Sequence, residues 1–141
     1  ASYLKVKVLE LLLYLGTEKI QNTQVKVPYF AHTRVKKVKE IQKYMVSNLR
    51  QHYTLEQLSE QFDIPLTSMK ACFKGVFGCS IYAYIKSYRM QAATVLLQNS
   101  DCSITEIAMK MGYDNPSKFS EVFKKEYEMT PSEFRKKYIK A

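Results

Sequence analysis

The sequence predicts an all-α chain in which one small helical unit occurs twice. Apolar residues recur at helical spacing along most of its length, and residues that cap helix N-termini precede these stretches. Only four Gly and four Pro are present, which argues against a turn-dense β protein. Hydrophobic residues make up 46% and charged residues 25% of the 141 positions. This balance is typical of a globular chain with one ordinary domain or two small ones.

The first predicted helix covers residues 4–15 and is apolar almost all the way round. A short helix of this kind has to be buried against another surface. We predict either a dimer interface or a face that docks onto another domain, and both alternatives remain open. The apolar run is too short to cross a bilayer and contains Glu10, and no signal-peptide cleavage site follows it, so we expect no membrane association. The predicted face consists of Leu4, Val8, Leu11 and Leu15.

A linker and a second helix come next. Residues 17–33 are polar and then briefly extended before Pro28, and we expect Tyr29 and Phe30 to dock on the following domain. Thr33 is the expected N-cap of the second helix, which is predicted to have about 16 residues. The apolar stripe of this helix consists of Val35, Val38, Ile41, Met45 and Leu49.

An internal repeat begins at Thr54. A set of apolar residues recurs about 50 residues later at the same spacing, apart from one extra residue in a turn. Each unit therefore comprises a short helix, a tight turn, a second helix and the start of a third. The aligned apolar pairs are Leu55 with Ile104, Leu58 with Ile107, Met69 with Phe119, Phe73 with Phe123, and Phe77 with Tyr127. The predicted helix caps are Thr54 with Gln57, Ser103 with Glu106, Asn115 with Pro116, and Thr130 with Glu133.

One long helix is predicted to join the two units. The units cover about residues 34–80 and 99–141, and the linker helix covers about 81–98. At about 1.5 Å per residue this helix spans roughly 27 Å. Its predicted buried stripe consists of Ile85, Tyr88, Ala92, Val95 and Leu96.

The repeated pattern is that of a helix-turn-helix, whose second helix enters the major groove of DNA. The predicted fold is thus two helix-turn-helix subdomains joined by a long linker helix, plus an extra N-terminal helix. Lys and Arg total 22 against 13 Asp and Glu, a net charge of +9, so we expect an anionic partner, with double-stranded DNA first. The predicted recognition helices, about residues 66–77 and 116–127, would read successive major grooves about 34 Å apart.

Residues from about 35 to 139 resemble the AraC/XylS family of transcription regulators. The resemblance implies a seven-helix DNA-binding domain with two helix-turn-helix motifs. In the family this domain usually follows an N-terminal sensing or dimerising domain, and most members activate transcription. Residues 1–16 would be the last helix of that missing domain, 17–33 the linker, and 34–141 the DNA-binding domain. The segments that carry the resemblance are residues 82–97, 104–113, 117–125 and 129–135, including Ile107-Ala108-x-x-Met111-Gly112-Tyr113 and Thr130-Pro131-x-Glu133-Phe134-Arg135.

The family motif also implies which side chains touch DNA. Many relatives carry Arg where this chain has Ala71 and Glu121, so we expect fewer strong base contacts and more reliance on phosphates and DNA shape. For Arg89 a structural hydrogen bond is as strong an alternative as a phosphate contact. The base-reading candidates are Thr67, Ser68, Lys70, Ala71, Pro116, Ser117, Lys118 and Glu121. The phosphate candidates are Lys74, Arg89, Lys124 and Lys125.

Promoter DNA is the expected partner, with RNA polymerase and a second copy of the chain as further partners. One alternative function is an enzyme, such as the DNA-alkyl-transfer proteins that carry this type of domain, which needs an activated cysteine. Cys72, Cys79 and Cys102 have no His nearby in the sequence, so we expect no catalysis, and we expect no cofactor or metal site. An odd number of cysteines without a Cys-x-x-Cys pair is typical of the cytoplasm. The other alternative is a non-specific architectural or protein-binding helical domain.

Overall fold

The computed structural model describes residues 30–139, and within that range the chain forms seven α-helices and no strands. The predicted all-α fold is confirmed. The predicted helix at residues 4–15, with its face of Leu4, Val8, Leu11 and Leu15, lies outside the described residues. The helices are α1 (His32–Ser47), α2 (Leu55–Gln61), α3 (Leu66–Phe77), α4 (Ile81–Asn99), α5 (Ile104–Lys110), α6 (Pro116–Tyr127) and α7 (Pro131–Tyr138).

Short polar side chains fix where most of these helices begin. Thr54 forms a full capping box with Gln57, because the Thr54 hydroxyl accepts the Gln57 N–H and the Gln57 side chain accepts the Thr54 N–H. Three other helices start with a Ser or Thr hydroxyl that accepts the N–H three residues on, and Asn115 caps α6 through the N–H of Ser117. The caps at Thr54, Ser103, Asn115 and Thr130 are those that the sequence predicts, although Ser103 and Thr130 make the hydroxyl bond of a capping box and not the reciprocal one. Ser80 is a further cap that the sequence analysis did not name.

The start of α1 differs from the prediction, which was wrong about Thr33. The helix begins at His32, and its N-cap Ala31 makes no side-chain cap hydrogen bond. The Ala31 carbonyl already accepts the N–H groups of Arg34 and Val35, so Thr33 lies inside the first turn. Phe30 packs against the core just before this turn, as the sequence suggested.

Two hydrophobic cores divide the chain as the repeat predicts. Helices α1, α2, α3 and the first turn of α4 enclose the first core, and the rest of α4 with α5, α6 and α7 encloses the second. Phe73 and Phe123 occupy corresponding places and are fully buried. The first core contains Val38, Ile41, Met45, Leu58, Ile64, Met69, Cys72, Phe73 and Ile81. The second contains Met90, Ala93, Leu97, Ile107, Ala108, Met111, Phe119, Val122, Phe123 and Phe134.

The buried face of α4 is not the one predicted. Val95 is 56% exposed, and Ile85, Tyr88, Ala92 and Leu96 are only half-buried. The predicted stripe was wrong for two reasons. Helix α4 packs against two cores with different faces. One of its buried positions is occupied by Arg89, and a pattern of apolar residues does not include a charged residue. The buried residues are Ile81 toward the first core, then Arg89, Met90, Ala93 and Leu97.

Two arginines hold the chain segments that lead into the first helix of each helix-turn-helix motif, α2 and α5. Arg89 in α4 donates from Nε to the Leu49 carbonyl at 3.1 Å and from Nη2 to the Gln51 carbonyl at 3.0 Å. Arg135 in α7 donates in the same way to the carbonyls of Leu97 and Ser100, at 3.1 and 3.3 Å. The planar guanidinium suits this task because it offers two parallel donors in a fixed fork.

Candidate nucleic-acid interface

The first candidate recognition helix, α3, has distinct buried and exposed faces. Its boundaries, Leu66–Phe77, are those predicted, and its core face of Met69, Cys72 and Phe73 is buried. Gly78 ends the helix in the left-handed conformation, at a φ of 81°. The opposite face is exposed and consists of Thr67, Lys70, Ala71 and Lys74, with Ser68 half-buried beside it. These positions follow the helical period, so they form one continuous surface with two positive charges.

The second candidate recognition helix, α6, repeats this arrangement. It runs from Pro116 to Tyr127 as predicted, and Pro116 occupies the first turn, where a missing N–H costs nothing. Phe119, Val122 and Phe123 are buried. The exposed face consists of Ser117, Lys118, Glu121, Lys124 and Lys125, with Pro116 half-buried at its start.

Glu121 lies between two lysines on the exposed face of α6. Its carboxylate is 3.9 Å from Lys118 Nζ and 3.6 Å from Lys125 Nζ, and all three side chains are more than half exposed. Exposed pairs of this kind contribute less than about 1 kcal/mol each, so they hold neither lysine firmly. The pairing with Lys118 involves a base-reading candidate, and the pairing with Lys125 involves a phosphate candidate.

Helix α4 connects the two units that carry the candidate faces. With 19 residues it is about 28 Å long, which is close to the ~34 Å between successive major grooves on one side of B-form DNA. Because α4 contributes to both cores, the two faces are carried by one rigid connection. The structure therefore presents two similar basic helix faces, on helices that both pack against α4.

Arg89 does not belong to this surface. It is 8% exposed, and its guanidinium is engaged with the carbonyls of Leu49 and Gln51. Burial lowers the pKa of Arg89, an effect opposed by Tyr113 and Tyr82, and burial raises the pKa of Tyr113. Of the two roles suggested by the sequence, the structure supports the structural hydrogen bond and removes Arg89 from the phosphate candidates.

The three cysteines are free thiols that differ in burial. Cys72 is fully buried, and burial raises the pKa of its thiol, which disfavours the thiolate that a nucleophile requires. Cys79 and Cys102 are half-buried free thiols. Between residues 30 and 139, no three His, Cys, Asp or Glu side chains lie close enough together to hold a metal ion. No helix in that part of the chain is long and apolar enough to cross a membrane.

Sequence reasoning missed two residues that hold backbone segments outside the recognition helices. Arg135 was given no role, although its position in the second unit parallels that of Arg89. His52 was also overlooked, and its ring Nε2 donates to the carbonyl of Gly112 in the turn between α5 and α6. All three of their partners are backbone carbonyls, and a side-chain pattern gives no signal for them.

Comparison with known proteins defines the class of the chain. A family model described as a helix-turn-helix domain matches residues 58–137, which is more than half of the chain. The chain belongs to the AraC-type helix-turn-helix family of DNA-binding transcription regulators, in agreement with the resemblance noted in the sequence.

Particular relatives are similar over the same region. The transcriptional regulator ExsA of Pseudomonas aeruginosa is 35% identical over 98 residues, which cover 70% of this chain and 35% of ExsA. The virulence regulon transcriptional activator VirF of Yersinia enterocolitica is 35% identical over 95 residues, covering 67% and 35%. The C-terminal domain of the response regulator YesN from Fusobacterium nucleatum has a similar fold, with a TM-score of 0.62 and 30% identity over 71% of this chain and 95% of that domain. The chain spans only 35% of the length of these two curated relatives.

Proposed function

We propose that this chain binds promoter DNA through α3 and α6, which enter successive major grooves on one side of the duplex. The observation that carries the proposal is the pair of exposed basic faces at corresponding positions of the repeat, on helices tied to both ends of α4. In this arrangement each recognition helix reads one short box, and the two boxes lie about one DNA turn apart.

In this proposal, short side chains and side chains with a single charge contact the bases. Lys70 and Lys118 contact guanine as point charges, and Ala71 packs on a thymine methyl group. Glu121 either accepts from cytosine N4 or remains paired with its lysines. Thr67, Ser68, Pro116 and Ser117 complete the base-facing set. Lys74, Lys124 and Lys125 contact phosphates, which supply much of the affinity but carry no sequence information.

The experiment that tests this proposal is selection of bound sequences from a random duplex library, with the 141-residue chain at moderate salt. We expect two enriched boxes whose centres lie about 10 base pairs apart. Lys70→Ala should relax selection in one box and Lys118→Ala in the other. Lys39→Ala is the matched control, because Lys39 is exposed on α1 and lies outside both recognition helices. Enrichment of one box, or of none, would contradict the proposal.

A non-specific architectural role is the second candidate, and one observation favours it. Neither recognition helix contains Arg, the residue that makes the commonest specific base contact. An architectural domain would bind random and selected duplexes equally well. Salt dependence alone does not separate the two roles, since neutralising about six phosphates gives a log–log slope near −5 in either case. The ratio of affinities for selected and random DNA does separate them.

We further propose that the complete protein activates transcription in the cytoplasm as a DNA-binding regulator without catalytic activity. Support comes from relatives such as VirF, which is named as a transcriptional activator. A second copy of the chain, joined through Leu4, Val8, Leu11 and Leu15, and RNA polymerase are the proposed protein partners. Sedimentation of the 141-residue chain tests the dimer: Leu11→Glu should convert a dimer to a monomer, whereas a chain that is monomeric without the substitution would exclude this interface.

A further inference from the structure

The chain segment at residues 49–52, between α1 and α2, belongs to the first unit in sequence but lies against the second. The Leu49 side chain packs on the second core. Arg89 holds the Leu49 and Gln51 carbonyls at 3.1 and 3.0 Å from its two donor atoms. The segment is therefore fixed to the part of α4 that carries the second unit.

The same segment reaches the turn of the second helix-turn-helix. The His52 ring donates from Nε2 to the carbonyl of Gly112. Gly112 has a φ of 84°, and a Cβ placed on it would lie 3.0 Å from each of three atoms: the Leu49 carbonyl oxygen, the Arg50 carbonyl oxygen and His52 Nε2. This close approach of two backbones ties the turn that precedes α6 to the segment that precedes α2.

The first unit shows that this contact is not a general feature of the turn. Asp63 occupies the corresponding position there, also with a positive φ, of 50°. Its carbonyl accepts a hydrogen bond from Lys37 Nζ at 2.6 Å, and Lys37 lies on α1 of the same unit. In the second unit the equivalent carbonyl takes its donor from the other unit instead. The bond made by His52 therefore couples the two motifs, whereas the bond made by Lys37 supports only one of them.

We propose that the contact of His52 with Gly112 fixes the spacing and rotation of α6 relative to α3, and so determines the distance between DNA boxes that the protein accepts. The inference rests on the proposed function. One additional base pair moves a box by about 3.4 Å along the duplex and rotates it by about 34° around it. If the two units are held in one fixed orientation, α6 cannot shift and rotate with the displaced box while α3 stays on the other box. His52 is a positioning residue in this mechanism and touches no base.

The test uses the 141-residue chain and duplexes that carry the two selected boxes at the preferred spacing, one base pair closer, or one base pair farther apart. The unchanged chain should lose about tenfold in affinity at either altered spacing, the cost of roughly one mismatched base pair. His52→Ala should bind the preferred spacing about fivefold more weakly, the factor that one ordinary hydrogen bond represents. It should also discriminate among the three spacings by less than about threefold.

Two matched variants separate positioning from other effects. His52→Gln retains an N–H donor in the side chain and should restore the original spacing profile. Lys37→Ala removes the corresponding bond inside the first unit and should leave the spacing profile unchanged. Binding of single-box duplexes should be the same for His52→Ala and the unchanged chain, because each unit keeps its own recognition face.

The failures of the two proposals are distinguishable. If His52→Ala keeps the original discrimination among spacings while single-box binding is intact, the positioning role is wrong and the proposed function stands. If the unchanged chain shows no preference for two boxes over one, the proposed function itself fails. A loss of single-box binding in His52→Ala would also overturn the positioning role, since it would place the effect within one unit.

Discussion

Replacement of Arg89 by Ala should lower the free energy of unfolding by about 3 kcal/mol. Two hydrogen bonds from a charged donor are lost, each contributing about 1.5 kcal/mol or more, and the Leu49 and Gln51 carbonyls lose their donor. The side chain is 8% exposed, so water replaces these bonds only after the neighbouring segment moves. Arg89→Lys should cost about half as much, because an ammonium group cannot serve both carbonyls with the geometry of the guanidinium fork.

Urea unfolding followed by circular dichroism measures this difference directly. Arg135→Ala is the closest comparison, since Arg135 makes the same two kinds of bond but is less buried and has one longer distance of 3.3 Å. We expect a loss of about 2 kcal/mol for it. Arg50→Ala is the control: Arg50 is exposed and should cost less than about 0.5 kcal/mol.

The same variant separates the structural role of Arg89 from a phosphate contact. A residue that neutralises one phosphate reduces the salt slope of DNA binding by about one when it is removed, with little effect on stability. If Arg89→Ala unfolds no more easily than Arg50→Ala but shows this reduced slope, the structural reasoning is refuted and the phosphate role is restored.

Three further outcomes are expected. Gly112→Ala should lower the free energy of unfolding by about 3 kcal/mol, and Gly78→Ala by only about 1 kcal/mol, in thermal or urea unfolding. Both glycines have a positive φ, but of the two only Gly112 faces atoms at 3.0 Å. Equal losses would show that the close approach does not affect stability. Glu121→Gln should tighten DNA binding severalfold with a stability change below about 0.5 kcal/mol, since it removes a negative charge from a basic face; weaker binding to selected DNA would instead identify Glu121 as a base reader. Burial raises the pKa of Cys72 and thereby favours the neutral thiol in the folded state, a stabilisation fully present below about pH 8.5 and lost as the pH rises through the folded-state pKa. At pH 8 a thiol reagent should therefore modify the other two cysteines first, and early loss of the Cys72 thiol would contradict its burial.

The approximate boundaries that the sequence predicted for α3 and α6 agree with the structure because these boundaries are encoded locally. Asn115 and Pro116 start α6, Gly78 ends α3, and apolar residues three and four positions apart define the core face of each helix. Such signals depend on neighbours within one or two turns, so they can be read without knowing the rest of the fold.

The features that the sequence did not predict depend on distant partners. The face of α4 was misassigned because its two ends pack on different cores, so no single stripe describes it. Arg135 and His52 donate to backbone carbonyls 35 or more residues away, and every residue has a carbonyl. Thr33 failed as a cap because the Ala31 carbonyl starts α1 earlier, with no side-chain signal.

The distribution of arginine connects the two proposals. The chain has four arginines, and the two whose forked hydrogen bonds are described above hold backbone segments, while the candidate DNA faces carry lysines. Lysine offers a point charge, so each recognition helix makes fewer bidentate base contacts than an arginine would provide. A protein with weak base contacts gains discrimination when two boxes must be bound at one fixed distance, since a displaced box then costs about as much affinity as a mismatched base pair. On the proposed function, the contacts of Arg89, His52 and Gly112 add specificity to the limited base reading of the recognition helices.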